Sequence, residues 1–135
     1  MRQPAAREGD RVVAMDVHVV MVPAPPGSPV PTPLPHRFDG ELNGNLSSDV
    51  RILGRPAVTV GSTADNRPPH HPESPGNAFQ NPPSNKATIT DGSPTVRING
   101  KAAARLGDAA ATCSDGPCVQ PGKVATAAAG TVKIG

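Results

Sequence analysis

Short segments that alternate between apolar and polar positions predict β-strands along this chain. Residues 50–52, 96–98 and 132–134 read VRI, VRI and VKI, so that a valine and an isoleucine flank one basic residue each time. An apolar period of two is typical of a strand with one buried face. The only alanine-rich segment, 109–129, is interrupted by prolines and glycines. We therefore expect an all-β fold with little or no helix.

Two of these segments belong to a longer internal repeat. Residues 50–63, VRILGRPAVTVGST, and residues 96–109, VRINGKAAARLGDA, align without a gap at an offset of 46 residues. Gly54 and Gly100 supply the backbone freedom that a tight turn needs, so each copy predicts a hairpin of two short strands.

The chain ends hold the two halves of a third copy. PAAREGD at 4–10 matches AAARLGD at 102–108, and GTVKIG at 130–135 matches PTVRING at 94–100. The unit occurs three times if the chain is read as a closed ring. This pattern predicts a single domain over residues 1–135, with approximate threefold symmetry and with the N- and C-terminal strands adjacent.

Two proline-rich stretches separate the repeats. We expect residues 21–47 and 64–94 to form long polyproline-type loops rather than regular structure. Within the second stretch, DNRPPHHPESP at 65–75 places His70 and His71 among four prolines. Proline fixes its own φ and favours extended geometry in the preceding residue, so both imidazoles are expected on a stiff loop.

The composition leaves little material for a hydrophobic core. Only 36% of the residues are hydrophobic, with two Phe and no Trp or Tyr, and there are 18 Pro and 14 Gly. Chains with small cores are commonly stabilised by a disulfide, a metal or a partner. A disordered, proline-rich binding segment is the alternative that this composition leaves open.

Charge and length exclude some classes of partner. The net charge of +2, without a basic cluster and almost without aromatic residues, does not indicate a nucleic-acid-binding protein. Missing aromatic platforms also disfavour carbohydrate binding. No run of 18 apolar residues predicts a membrane span, and MRQPAAREGD lacks the apolar region of a signal peptide. We expect synthesis in the cytoplasm without a signal peptide, and no stable homo-oligomer.

The repeat also places the groups that could bind a metal. His18 and His70 each follow a repeat glycine by nine residues, and Cys113 follows the third such glycine by six. Equivalent positions around a threefold axis bring such groups together near one end of the axis. Three imidazoles and one thiolate suit a closed, tetrahedral, structural zinc site, one per chain. The predicted ligands are His18, His36, His70 and Cys113.

Each of these ligands has an alternative interpretation. His71 could replace His70, and Cys118 could replace Cys113 or form a small disulfide with it across SDGP. In a chain made in the cytosol, a metal ligand or free thiol is favoured over a stable disulfide. Taken singly, His18 and His36 could be ordinary strand or surface residues.

PAAREGD, its echo AAARLGD and the VRI-x-G-[RK] hairpins resemble the PAAR-repeat family, over nearly the whole chain. The resemblance implies a small β cone with zinc near its point, bound by three His and one Cys. By position, these ligands again fall on His18, His36, His70 and Cys113.

The resemblance also implies a function and a partner. One copy of such a protein caps a trimeric VgrG/gp5-like spike and sharpens the tip of a contractile injection system. Such systems include type VI secretion systems and phage-tail-like particles, whose tip pierces a target membrane and can dock effectors. Docking would extend the spike's β structure by edge pairing. The candidate spike-binding residues are Val50, Ile52, Val96, Ile98, Val132 and Ile134. Because strand residues alternate, half of them could face the interior instead.

An enzyme is the weaker hypothesis. The R-x-G-D segments favour turn chemistry over paired catalytic acids. A hydrolytic zinc site would need an open coordination position, which would exist if Cys113 were not a ligand. We therefore predict no catalytic residues.

Overall fold

The structure, a computed structural model, describes residues 2–112, 115, 121–128 and 130–135. These residues form thirteen strands and no helix, so the all-β prediction is confirmed. The strands are β1 (Gln3–Pro4), β2 (Arg11–Val22), β3 (Val30–Gly44), β4 (Arg51–Ile52), β5 (Arg55–Pro56), β6 (Thr63–Asn66), β7 (Ala78–Phe79), β8 (Lys86–Ile89), β9 (Arg97–Ile98), β10 (Lys101–Ala102), β11 (Ala109–Ala111), β12 (Gly122–Val124) and β13 (Lys133–Ile134).

The main sheet is antiparallel and has seven strands in the order β12-β11-β8-β6-β3-β2-β7. A further pairing joins β12 to β2, where Lys123 lies opposite Val13. This pairing closes the strand order on itself, and β7 pairs only with the far end of β2, at Val20 and Met21. The far end of the β2–β3 hairpin therefore extends beyond the closed part of the sheet.

The prediction of irregular loops is wrong for most of 21–47 and for a smaller part of 64–94. Residues 30–44 form β3, which pairs with β2 from Val22↔Val30 to Arg11↔Glu41. Pro31, Pro33 and Pro35 occupy alternate positions, so their missing N–H groups all face one edge of the strand. The intervening N–H groups stay available to β2, and β6 pairs with β3 only from Gly40 to Gly44, so the prolines lie where no described strand pairs with the other edge of β3. The second stretch contributes β7, β8 and most of β6.

Three small two-stranded sheets follow the predicted repeat. Two are the hairpins β4–β5 and β9–β10, and the third is the pair β1–β13. In the hairpins, the turn residues Leu53–Gly54 and Asn99–Gly100 all have positive φ, as a two-residue turn of the primed type requires. In the third sheet the two chain ends pair, with Gln3 opposite Ile134.

The three copies bond to one another in a closed cycle. The N–H of Ala6 donates to the carbonyl of Ala104 at 3.0 Å, Ala104 donates to Val58 at 2.9 Å, and Val58 donates to Ala6 at 3.1 Å. Three isolated bridges, Ala5↔Arg105, Arg7↔Ala57 and Thr59↔Ala103, repeat the same relation. One chain thus has approximate threefold symmetry in its hydrogen bonding.

Two hydrophobic clusters lie on the two faces of this cycle, because successive side chains of an extended segment point in opposite directions. The larger cluster contains Ala6, Val58, Ala104 and the strand residues Val12, Phe38, Leu42, Ala64, Ala87, Ile89, Ala110 and Val124. The smaller cluster contains Ala5, Ala57, Ala103, Ile52, Ile98 and Ile134, with Val132 packed against it.

The smaller cluster divides the six predicted spike-binding residues into two groups. The isoleucines Ile52, Ile98 and Ile134 are buried in it. Val50 and Val96 are each 36% exposed. Val50 and Val96 therefore lie on the surface of this end of the molecule, Val132 is half-buried against the cluster, and the isoleucines lie beneath them.

Candidate metal centre

Strand alternation on β2 points His18 into the molecule. His18 and Val20 are fully buried, whereas Met15 and Val17 are 58% and 40% exposed. Asp16 shares the face of His18 and is also fully buried. This arrangement gives one strand two buried ionisable groups separated by a single residue.

His36 lies on β3, directly opposite Asp16 in the β2–β3 register. Its Nδ1–H donates to the carbonyl of Leu34 at 2.9 Å, which leaves the Nε2 lone pair as the acceptor. The N–H of Glu73 donates to this Nε2 at 3.2 Å. A metal bound at Nε2 would replace that hydrogen bond, while the Nδ1 bond would keep the ring oriented.

His70 arrives from an irregular segment between β6 and β7 and is anchored through its backbone. Its N–H donates to Asn85 Oδ1 at 2.8 Å, and its side chain is only 3% exposed. The neighbouring His71 is exposed, with its Nδ1 3.4 Å from the carbonyl of Pro72. The structure therefore places His70, and not His71, beside His18 and His36.

The three imidazoles lie close to one another. The ring centroids of His18 and His36 are 5.4 Å apart, those of His18 and His70 are 5.0 Å apart, and those of His36 and His70 are 5.6 Å apart. Three rings on a tetrahedral zinc, with Zn–N bonds of about 2.0–2.1 Å, have centroids about 5.2 Å apart. The ring spacing and the nitrogen donors thus suit a zinc ion, whereas the group of described residues whose ligand atoms all lie within 4.8 Å of one another is Asp16, His18 and His70, without His36.

Both phenylalanines of the chain pack on this cluster. Phe79 makes an edge contact with His18 at 5.7 Å between centroids and lies 5.4 Å from His36. Phe38, a member of the larger hydrophobic cluster, lies 6.2 Å from His70. Rings packed in this way limit how far the imidazoles can turn and keep water away from them.

Two carboxylates near the histidines were not predicted from the sequence. Asp16 Oδ2 lies 3.1 Å from His70 Nε2 and 4.0 Å from His18 Nε2. Asp115 Oδ1 lies 3.6 Å from His18 Nδ1, and its Oδ2 accepts the N–H of Val19 at 3.0 Å. The period-two pattern of β2 could have identified Asp16, since it shares parity with His18. Nothing in the repeat marks Asp115.

Burial lowers the pKa of His18, and this effect outweighs the opposing influence of Asp115, which raises it. The neighbouring His70 also lowers this pKa. Desolvation disfavours the charged imidazolium. The neutral ring that results is the form that binds a metal ion.

Cys113 and Cys118, the predicted thiolate and its alternative, lie outside the described residues. Their described neighbours contact β2 near the histidines. The Thr112 hydroxyl donates to Asp16 Oδ1, and the N–H of Asp115 donates to the carbonyl of Val17 at 2.8 Å. Asp16, His18 and His70 have ligand atoms within 4.8 Å of one another and so form a possible metal-binding group.

Within the part of the chain that the structure describes, no helix has the length and apolar character needed to cross a membrane.

The chain was compared with protein families, with curated proteins and with solved structures. Residues 80–135 match a family model described as the PAAR motif. The matched part contains the complete repeat copy at 96–109 and the half of the third copy that lies at the C-terminal end, 130–135, and it lies C-terminal to the three histidines. Neither the curated proteins nor the solved structures that were searched contain a match to this chain.

Proposed function

Because this chain carries the PAAR motif of the PAAR-repeat family over residues 80–135, we propose that it caps and sharpens the trimeric spike of a contractile injection system. The PAAR motif is associated with spike-tip proteins of such systems, including type VI secretion systems, and the family is structural. We propose that one copy sits on a VgrG/gp5-like trimer and helps it pierce a target membrane, without enzymatic activity.

The closed cycle of hydrogen bonds among Ala6, Val58 and Ala104 carries this proposal. A threefold partner presents the same surface three times around its axis. A single chain can match that surface only if its own contact groups recur about every third of a turn. The internal repeat supplies this match, and it supports a stoichiometry of one copy per trimer.

The proposed contact face is the end with the smaller hydrophobic cluster. It carries the exposed Val50 and Val96, together with the half-buried Val132. The carbonyls of these three valines accept the N–H groups of Ala57, Ala103 and Ala5 respectively, so the valines occupy equivalent positions. Apolar groups in threefold positions suit the end of a trimeric β-helix. The edges of the three two-stranded sheets would extend its hydrogen bonding.

We propose that His18, His36, His70 and Cys113 bind one zinc ion at the other end of the molecule. The ring spacing and the burial of the imidazoles support this set, and the contacts of Thr112 and Asp115 bring the chain on either side of Cys113 near it. A bound zinc supplies a rigid cross-link between segments that are distant in sequence. A buried four-ligand site leaves no position for substrate, so the arrangement does not favour a zinc hydrolase.

The folded all-β structure does not favour the disordered alternative either. Proline-stiffened segments and a metal cross-link would provide rigidity without a large core. Such rigidity is what a small tip needs if it is to transmit force to a membrane. Effectors would dock on the remaining exposed surface, and the tip would be delivered to the exterior or to a target cell.

The stoichiometry with the cognate trimeric spike tests this function. The two proteins are mixed with this chain in threefold excess, separated by size and weighed by native mass spectrometry. We expect one chain per trimer. A complex with three chains per trimer would refute the argument from internal symmetry, and no complex at any ratio would refute the proposed partner.

A pair of matched variants then locates the contact face. Val96→Asp places a charge on the proposed face, and we expect it to weaken spike binding at least tenfold. Met15→Asp makes a comparable change on β2, where Met15 is 58% exposed, and should bind as the wild type does. Equal binding by both variants, with folding intact, would place the contact elsewhere.

A further inference from the structure

Asp16 is a fully buried carboxylate in the midst of the three histidines, and the predicted ligand set does not use it. Its Oδ2 accepts the Nε2–H of His70 at 3.1 Å and lies 4.0 Å from His18 Nε2. It also lies opposite His36 in the strand register. Among the described residues, Asp16, His18 and His70 form the one group of potential metal ligands whose ligand atoms all lie within 4.8 Å of one another. Asp16 is the acidic member of that group.

We propose that Asp16 belongs to the metal site, where it balances the charge of the cation and holds the His70 ring. This inference rests on the proposed zinc site. A zinc ion bound by three neutral imidazoles and one thiolate keeps one net positive charge. Such a charge is costly to bury among side chains as little exposed as those of Asp16, His18 and His36. The carboxylate of Asp16 brings the net charge to zero.

The contacts of Asp16 also explain how it orients a ligand. When the Nε2–H of His70 donates to the carboxylate, the neutral ring keeps its lone pair on Nδ1. In that tautomer Nδ1 is the nitrogen that could bind the metal. The Thr112 hydroxyl donates to the other oxygen, Oδ1, so the carboxylate is itself held in place. Asp16 therefore acts through His70 and through its charge, and it is a positioning residue.

Its position on β2 adds a mechanical consequence. Asp16 and His18 lie on the same strand, His36 on the adjacent strand, and His70 on an irregular segment. The Asp16–His70 bond is a direct side-chain link between β2 and that segment. In the proposed site this bond would preorganise His70, the one histidine of the three that lies on no strand.

The isosteric variant Asp16→Asn tests the charge. Zinc affinity is measured by competition with a chromogenic chelator, and the ligand field by the absorption of the cobalt-substituted protein. We expect zinc affinity to fall 10- to 100-fold, as it does when such orienting partners are removed, with a shifted cobalt spectrum. The stability of the metal-free protein in urea is measured in parallel, so that the loss of a charge at the metal site is distinguished from the loss of an acceptor for His70 and Thr112.

Two further variants serve as controls. Asp65→Asn removes an equal charge from an exposed ion pair with Lys86 on β6 and β8, and it should leave affinity and spectrum unchanged. Thr112→Val removes the bond to Asp16 but keeps the charge, and it should lower affinity less than Asp16→Asn does.

The outcomes separate this inference from the zinc site itself. If the wild type binds no zinc, the proposed site and the role of Asp16 both fail. If the wild type binds zinc and Asp16→Asn binds it equally well, only the role of Asp16 fails. If metal-free Asp16→Asn is unfolded or clearly less stable than wild type, Asp16 is a structural acceptor for His70 and Thr112, and the inference is overturned.

Discussion

The adjacent residues His70 and His71 provide a sharp test of the metal site. They have the same side chain and the same proline-rich surroundings, yet the His70 side chain is 3% exposed beside His18 while His71 is exposed. We expect His70→Ala to abolish zinc-dependent stabilisation and His71→Ala to preserve it. The comparison cancels any general effect of removing an imidazole from this loop.

The size of the effect follows from linkage. Free zinc at about 1,000 times its dissociation constant stabilises the folded state by about 4.1 kcal/mol. With an unfolding entropy of about 2.1 cal/mol/K per residue, a chain of 135 residues gains about 14 °C in melting temperature. His70→Ala should lose this whole increment and should also melt lower without metal, because the substitution opens a cavity beside Phe38.

The assay is calorimetry of both variants and the wild type, with zinc buffered at a fixed free concentration and after chelation. Metal content is measured on the same samples by elemental mass spectrometry. One zinc per chain in the wild type and in His71→Ala, and none in His70→Ala, is the expected result. A chelation-sensitive His70→Ala, or a His71→Ala that has lost its metal, would refute the assignment of His70.

Three stability predictions follow from the core and the turns. Phe38→Ala should lower the free energy of unfolding in urea by about 3–5 kcal/mol, since Phe38 is fully buried in the larger cluster; a loss below about 1 kcal/mol would contradict that packing. Gly100→Ala should cost about 1 kcal/mol or more because Gly100 has a φ of +78°, whereas Gly27→Ala, which meets no atom within 4 Å, should be neutral; equal melting of the two would argue against the predicted turn. Leu42→Ala and Ile89→Ala should each lower the free energy of unfolding by about 2–5 kcal/mol, and the two losses should be similar. The reason is that Leu42 and Ile89 occupy equivalent positions, since their carbonyls accept the N–H groups of the equivalent glycines Gly9 and Gly61. Very unequal losses would show that the two sites are not equivalent.

Short-range sequence patterns were enough to predict much of the fold. The alternation in VRI and the turn glycines were enough to predict the hairpins at 51–56 and 97–102, which the structure contains. The repeat was also enough to predict three related copies. These features depend on residues near one another in sequence, or on a comparison between copies, so no knowledge of the packing was needed.

The proline content of the chain led to a wrong prediction of secondary structure. The density of prolines in 21–47 suggested a loop, yet residues 30–44 are the longest strand of the molecule. Alternate spacing of Pro31, Pro33 and Pro35 was visible in the sequence. This spacing is compatible with a strand because, among the described residues, no strand pairs with the proline-bearing edge of this part of β3, and the neighbours of a strand are set by the whole sheet.

The candidate metal site was likewise predictable from the sequence only in part. The repeat offset brought His18 and His70 into consideration, and the structure does bring their rings to 5.0 Å. The same offset favoured His70 and left His71 as an alternative, and it did not identify Asp16 or Asp115. Assignment of the four predicted residues as zinc ligands stays a prediction until metal is measured.

The sequence by itself determined the β character, the threefold repeat and the set of groups able to bind a metal, because periodicity, turn chemistry and donor type are local properties. Only the tertiary structure decided which imidazole turns inward, that a buried carboxylate lies among the histidines, and that the isoleucines are covered while Val50 and Val96 are exposed. These features arise where segments distant in sequence meet, and the burial of a side chain depends on what packs against it.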